Sequence, residues 1–138
     1  MRTCLVDTGP FVSYLDRKDP VHIDVADFLD NFTGQLLTTG AVIGEVMYFV
    51  AELRNGPVSF AEFLIASDTH IVSLPTAKEV VTAAELMHQY RDTPMDFADA
   101  TLVLLADQTE TTEILTLDRL GFSTYRTPKG EGFNLALG

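Results

Sequence analysis

Asp7, Glu45, Asp99 and Asp118 are the residues whose types and surroundings point to chemistry. Asp7 follows the apolar run Cys4-Leu5-Val6, and Asp118 follows Ile114-Leu115-Thr116-Leu117. Each therefore stands at the carboxyl end of a predicted strand, the edge of a parallel sheet at which ligands bind. Taken singly, each is also an ordinary helix cap or turn residue. Asp99 is harder to explain as a surface charge, because Leu102, Val103 and Ala106 follow it at helical spacing and the segment from Phe97 to Ala106 is apolar nearly all round. A carboxylate on such a buried surface costs several kcal/mol unless it is paired or binds a metal. No Lys, Arg or His lies on this helix to pair it. The remaining alternative is a carboxylate satisfied by backbone N–H groups in the first turn.

Asp96, one turn earlier and just after Pro94-Met95, has the position of an N-cap, and capping is favoured there over direct metal contact. Glu45 borders the apolar arc of Val42, Val46, Phe49, Val50 and Leu53, so its role depends on what the other carboxylates do. If the four acids meet, each pair about 5 Å apart repels by roughly 3 kcal/mol at an effective dielectric near 20. Such a pocket holds either protons or cations. An all-oxygen set without Cys or a nearby His favours Mg²⁺ or Mn²⁺ over Zn²⁺. His22, His70 and His88 are scattered and have no paired ligand spacing. Ions held by carboxylates can activate a water, bind a phosphate and stabilise a departing alkoxide, so phosphoryl chemistry is the natural use.

These residues need a scaffold, and the periodicity supplies one. Strands are predicted at about 2–6, at Leu36-Leu37-Thr38, at Ile71 to Leu74 and at Ile114 to Leu117, with a fifth at Ser123 to Arg126. Helices are predicted through Phe11, Val12 and Leu15, then at about 20–33, 40–54 and 57–67, from Pro75 to about 90, and at 96–109. Gly56-Pro57 divides the third helix from the fourth. Phe133, Leu135 and Leu137 alternate in strand fashion in a Gly-rich tail. Strands separated by helices predict a parallel sheet covered on both faces, within one domain over residues 1–138.

The composition, 46% hydrophobic and 21% charged, is that of a globular chain. Cys4 is the only cysteine, so no intramolecular disulfide forms, and its place in an apolar run reads as a buried hydrophobe. No run approaches the length of a membrane span and nothing at the amino end reads as a secretion signal, which gives a cytoplasmic location as the expectation. A formal net charge of -11 excludes a general nucleic-acid binder. Asp24, Asp27 and Asp30 read as the solvated face of a helix whose apolar stripe is Val21, Val25, Phe28, Leu29 and Phe32. Arg119, Arg126 and Lys129 gather after the fourth strand and either track a phosphate backbone or serve as ordinary surface charges.

Four segments, Leu5-Val6-Asp7-Thr8-Gly9-Pro10-Phe11, Ile43-Gly44-Glu45-Val46, Met95-Asp96-Phe97-Ala98-Asp99-Ala100 and Leu115-Thr116-Leu117-Asp118-Arg119, resemble PIN domains in order and spacing. The chain is most similar to the VapC-type toxin branch of that family. The resemblance implies a three-layer α/β/α sandwich with a parallel sheet ordered 3-2-1-4-5, and a Mg²⁺- or Mn²⁺-dependent endoribonuclease. It places Asp7, Glu45, Asp99 and Asp118 at the family's acidic positions, and Thr8 and Thr116 at positions that support the first carboxylate and line the site. It also implies an RNA substrate, a homodimer and an antitoxin partner. One departure stands out: the family's last segment often carries a further Asp before the Phe, where this chain has Gly121-Phe122. Asp118 then serves alone at that end unless Asp96 compensates. A PIN-like scaffold that binds RNA or a protein without turnover is the main rival. An aspartyl-phosphate phosphatase is disfavoured by Gly9, where that chemistry usually has a second Asp.

Overall fold

The first strand, β1 (Thr3–Val6), lies at the centre of the molecule because its last three residues, Cys4, Leu5 and Val6, are apolar on both faces and have no solvent exposure. The computed structural model describes residues 1–137. Its elements follow in the order α1 (Thr8–Leu15), α2 (His22–Asn31), β2 (Gln35–Thr39), α3 (Gly40–Val50), α4 (Gly56–Ala66), β3 (His70–Val72), α5 (Ala77–Gln89), α6 (Phe97–Thr109), β4 (Glu113–Leu115), α7 (Arg119–Thr124) and β5 (Asn134–Leu135). The five strands form one all-parallel sheet in the order β3-β2-β1-β4-β5.

Helices cover this sheet in an α/β/α arrangement, with α1 packed against α2, α3 and α4, and α5 packed against α6. The strand order reverses between β1 and β4, which pair through Leu5 with Ile114 and Val6 with Leu115. In a sheet of this kind the crevice for a ligand opens beyond the carboxyl ends of the two strands at such a reversal. Asp7 directly follows β1, and the loop carrying Thr116 to Asp118 follows β4.

α6 is the most deeply placed helix, with nine consecutive buried residues from Ala98 to Ala106. It is anchored by a 2.8 Å contact between the buried hydroxyls of Thr101 and Thr39, the latter at the end of β2. Its start is fixed by a reciprocal capping box, in which Asp96 Oδ1 accepts from Asp99 N at 2.8 Å and Asp99 Oδ2 accepts from Asp96 N at 3.1 Å.

Several element boundaries differ from those the sequence predicts. Ser123 to Arg126 is not a strand: Ser123 and Thr124 end α7, and Tyr125 is fully buried against Tyr90 and Phe122 with ring centroids 5.1 Å away in each case. The fifth strand comes instead from the tail, where Asn134 pairs with Glu113 and Leu135 with Ile114. Pro75 does not open α5, because the capping box of Thr76 and Glu79 sets the helix start two residues later. α3 ends at Val50 and not at 54, and Gly56-Pro57 lies within the first turn of α4. No helix among the described residues is long and apolar enough to cross a membrane.

Candidate metal centre

Asp7 is 7% exposed, and both its oxygens are engaged by the polypeptide. Oδ1 accepts from Thr8 N at 2.8 Å, which caps α1, and Oδ2 accepts from the Thr116 hydroxyl at 2.8 Å. Thr116 Oγ1 in turn accepts from Asp118 N at 3.0 Å, so one hydroxyl ties the ends of β1 and β4 together. Burial pushes the Asp7 carboxyl up to about 6, against the lowering effect of its two hydrogen bonds, with the charges of Asp96 and Glu45 adding to the rise.

Asp99 is 9% exposed in the first turn of α6. Its carboxyl is pushed up to about 8, first by burial and then by the negative charges of Asp7 and Asp96. The two buried acids thus oppose each other's ionisation across the reversal of the sheet.

Around this pair opens a cavity of about 500 Å³, lined by Asp7, Thr8, Glu45, Asp96, Asp99 and Asp118 among others. The remaining lining residues are Gly9, Val12, Asp19, Phe49 and Leu117, so among the described residues no Lys, Arg or His lines it. Glu45 is half-buried on α3, whereas Asp96 and Asp118 are exposed at the rim. Each rim aspartate uses Oδ1 to cap a helix, Asp96 for α6 and Asp118 for α7 through Gly121 N at 3.0 Å, and keeps Oδ2 for another partner. Asp99 Oδ1 likewise has no hydrogen bond among the described residues.

Among the described residues no group of three acidic, imidazole or thiol side chains is already gathered into a metal cage. The arrangement is a fixed buried pair with four acids on its margin, Asp19, Glu45, Asp96 and Asp118, whose side chains must turn inward to ligate together. The donor set fits a hard divalent cation: it is all oxygen, strongly negative, and unneutralised by any basic side chain lining the cavity.

Gly121 stands against this margin. A Cβ there would lie inside van der Waals contact of Asp118 Oδ2 and 3.0 Å from Tyr125 Oη. Glycine therefore leaves room for Asp118 to fold back as the α7 cap, and no second acid follows it. Tyr125 is a residue the sequence reading missed. Its hydroxyl donates to Pro94 O at 2.7 Å, and burial together with the charges of Asp99, Asp118, Asp96 and Asp7 raises its pKa.

The cations singled out from the sequence lie elsewhere. Arg119 donates to Leu137 O at 2.7 Å and lines a separate cavity beside Asp24 and Asp27. Arg126 folds onto the carbonyls of Ser123, Thr124 and Tyr125, and Lys129 stands 4.0 Å from Glu110. None of the three lines the carboxylate cavity. Thr8 lines it with a buried Oγ1 that has no hydrogen-bond partner among the described residues. Cys4 is a buried thiol pushed up to about 12 by burial, which makes it inert.

An all-parallel sheet ordered 3-2-1-4-5 between helices, with acids lining the crevice at its switch point, defines an α/β/α sandwich of the PIN type. The PIN domain family model matches residues 4–126, and the chain belongs to that family. It is 31% identical over 132 residues to Ribonuclease VapC26 of Mycobacterium tuberculosis, covering 95% of this chain and 98% of the relative. Among solved structures it resembles that of VapC20 of Mycobacterium tuberculosis, described as a Sarcin-Ricin loop cleaving toxin, with a TM-score of 0.75 at 17% identity over 86% of this chain and 91% of that one. It also resembles VapBC2 from Rickettsia felis, solved bound to a DNA fragment from its promoter, with a TM-score of 0.57 at 13% identity over 94% of this chain and 96% of that one.

Proposed function

We propose that the protein is a metal-dependent endoribonuclease of the VapC type, which hydrolyses RNA phosphodiesters at the cavity shared by Asp7 and Asp99. The observation that carries this reading is the pair itself: two buried carboxyls, each raised by burial and by neighbouring acids, face a cavity with no basic lining residue. Such a pair is costly to fold unless a cation offsets it. Asp7, Asp99, Glu45 and Asp118 are the residues that would hold Mg²⁺ or Mn²⁺, with Asp96 adding an oxygen from the rim. When bound, the ion supplies Lewis acidity and a water of lowered pKa.

The chain's own groups do the positioning. Thr116 holds Asp7 in one orientation from β4 through its 2.8 Å hydrogen bond, and also receives the backbone N–H of Asp118. The capping box fixes the direction in which Asp99 leaves α6. Leu117 and Phe49 give the cavity part of its wall as apolar surface.

RNA is the substrate in this reading, and an antitoxin is the natural protein partner, in keeping with a Rickettsia felis relative that was solved as a VapBC assembly. A homodimer and a cytoplasmic location complete the proposal. The test is cleavage of a labelled single-stranded or loop RNA with Mg²⁺ or Mn²⁺. Activity should vanish in EDTA and in Asp99→Asn, while that variant keeps its fold by circular dichroism. Activity in EDTA, or an active Asp99→Asn, would sink the mechanism.

A second reading, a PIN scaffold that binds without turnover, draws on Gly121, where an acid is missing from the margin. Calorimetric titration separates the two, since a scaffold of this kind takes up no Mn²⁺ in a manner dependent on Asp7.

A further inference from the structure

Nine Lys and Arg side chains serve the whole chain, so where they stand unpaired is informative. Arg2 pairs with Glu113, Lys129 with Glu110, Arg91 bonds the His88 carbonyl, and Arg119 and Arg126 bond backbone carbonyls. Among the described residues the side chains of Arg17, Lys18, Arg54 and Lys78 have neither an ion pair nor a hydrogen bond. Three of these four, Arg17, Lys18 and Arg54, line one groove of about 830 Å³.

That groove neighbours the carboxylate cavity where α1 packs on α3, although the two share no lining residue. Val12 of α1 and Phe49 of α3 line the acid cavity, whereas Leu15 and Leu53, farther along in each segment, line the groove. α1 has eight residues, so its length is about 12 Å, with Asp7 at its start and the Asp16–Asp19 loop at its end. Arg17 and Lys18 lie in this loop and face the groove, while Asp19 two residues on faces the acids. Asp16, Glu52 and Glu62 also line the groove, yet no ion pair joins them to its cations among the described residues.

We propose that Arg17, Lys18 and Arg54 form a subsite for the RNA phosphate backbone, holding the strand on the α1–α3 side of the scissile bond. This rests on the nuclease reading of the neighbouring cavity. A polyanion laid across a chain of net charge -11 needs local cations beside the acids, and these are the unpaired ones in the adjoining groove.

The test measures binding of a fluorescein-labelled single-stranded oligoribonucleotide to the full chain by anisotropy at several salt concentrations. Asp99→Asn serves as the non-cleaving host. Adding Arg17→Ala and Arg54→Ala together should weaken binding at least tenfold and flatten log K against log salt by about 1.4, the loss of two single-strand phosphate contacts. Lys replacements at both positions should restore the slope, and Lys78→Ala and Arg126→Ala should leave it unchanged. In the cleaving chain the Ala pair should raise KM and leave kcat within twofold. Unchanged affinity and slope, or an equal loss from Lys78→Ala, would overturn the subsite. Loss of polyglutamate binding with RNA binding intact would assign the groove to an acidic protein and overturn it too. A wild-type chain that binds RNA through these cations but never cleaves it would retain the subsite and discard the nuclease.

Discussion

Thr116 Oγ1 donates to Asp7 Oδ2 at 2.8 Å across the β1–β4 boundary, and accepts from Asp118 N at 3.0 Å. One hydroxyl thus orients the most buried acid of the cavity and the peptide of an acid on its rim. The hydrogen bond also favours the ionised form of Asp7 and so works against the rise caused by burial.

Thr116→Val keeps the shape of the side chain and removes this link. Asp7 then rises further above about 6, so a larger share is protonated at neutral pH. Because metal ligation needs the carboxylate, the acid limb of kcat/KM against pH should move to higher pH. At pH 7 activity should fall by about 10–100-fold, the usual cost of losing a group that orients a ligand. A pH profile that coincides with wild type would contradict this role.

Asp7 and Asp99 also set the pH dependence of stability. Their carboxyls titrate near 6 and 8 in the folded chain and start from the ordinary value of 3.8 when unfolded. Below about pH 4 both states hold the protons and nothing is lost. As pH rises through 6 and 8 the unfolded chain has already released them, so the metal-free fold is progressively destabilised, by on the order of a few kcal/mol in all. The Tm in EDTA should therefore fall between pH 5 and pH 8.5, and Mn²⁺ should raise it more at pH 8 than at pH 6. Asp99→Asn should flatten the EDTA profile and raise Tm at pH 8 by several degrees, at about 4 °C per kcal/mol. Scanning calorimetry with and without EDTA reads both effects.

The parallel sheet and the places of Asp7 and Asp99 were legible from local causes, whereas the strand order followed only from the resemblance to PIN domains. Asp7 ends an uninterrupted apolar strand, and Asp99 interrupts an apolar helix, so both stand out against their own neighbours. The fifth strand was misplaced because Ser-Thr-Tyr-Arg carries β-favouring residues, whereas tertiary packing of Tyr125 on Tyr90 and Phe122 holds that segment at the end of a helix. Asp19 and Phe49 carried no local mark as site residues, since only the packing of the helices brings them to the cavity, and Tyr125 acts from outside it through Pro94 O. The cations show the same limit. Arg119, Arg126 and Lys129 are near one another in sequence, but Arg17 and Arg54 meet only through the packing of α1 on α3 and α4.

Asp118 combines two roles that substitution can separate. Its Oδ1 caps α7 through Gly121 N at 3.0 Å, while its carboxyl lines the acid cavity. Asn is as good an N-cap as Asp, so Asp118→Asn should leave Tm within about 2 °C while cutting Mn²⁺ affinity and cleavage at least tenfold. Asp118→Ala should lose the same activity and in addition about 1 kcal/mol of stability. Equal cleavage by Asp118→Asn and wild type would reduce the residue to a cap.

Tyr125 tests how far the site depends on a group that does not line it. The ring is fully buried, and its hydroxyl holds Pro94 O at 2.7 Å, two residues before the Asp96 cap of α6. Tyr125→Phe keeps the packing on Tyr90 and Phe122 but removes the hydrogen bond to that carbonyl, which costs about 1 kcal/mol. The strand of chain that leads into the capping box loses its tether, so Asp96 and Asp99 are held less firmly. Cleavage should fall less than tenfold with Mn²⁺ affinity reduced in parallel, in contrast to the abolition expected for Asp99→Asn. The hydroxyl is kept neutral by burial and by the surrounding acids, so the pH profile of the remaining activity should be that of wild type. A profile that loses its alkaline limb in Tyr125→Phe would instead make the phenol a proton donor, and would require it to reach the cavity from a position where it now faces Pro94.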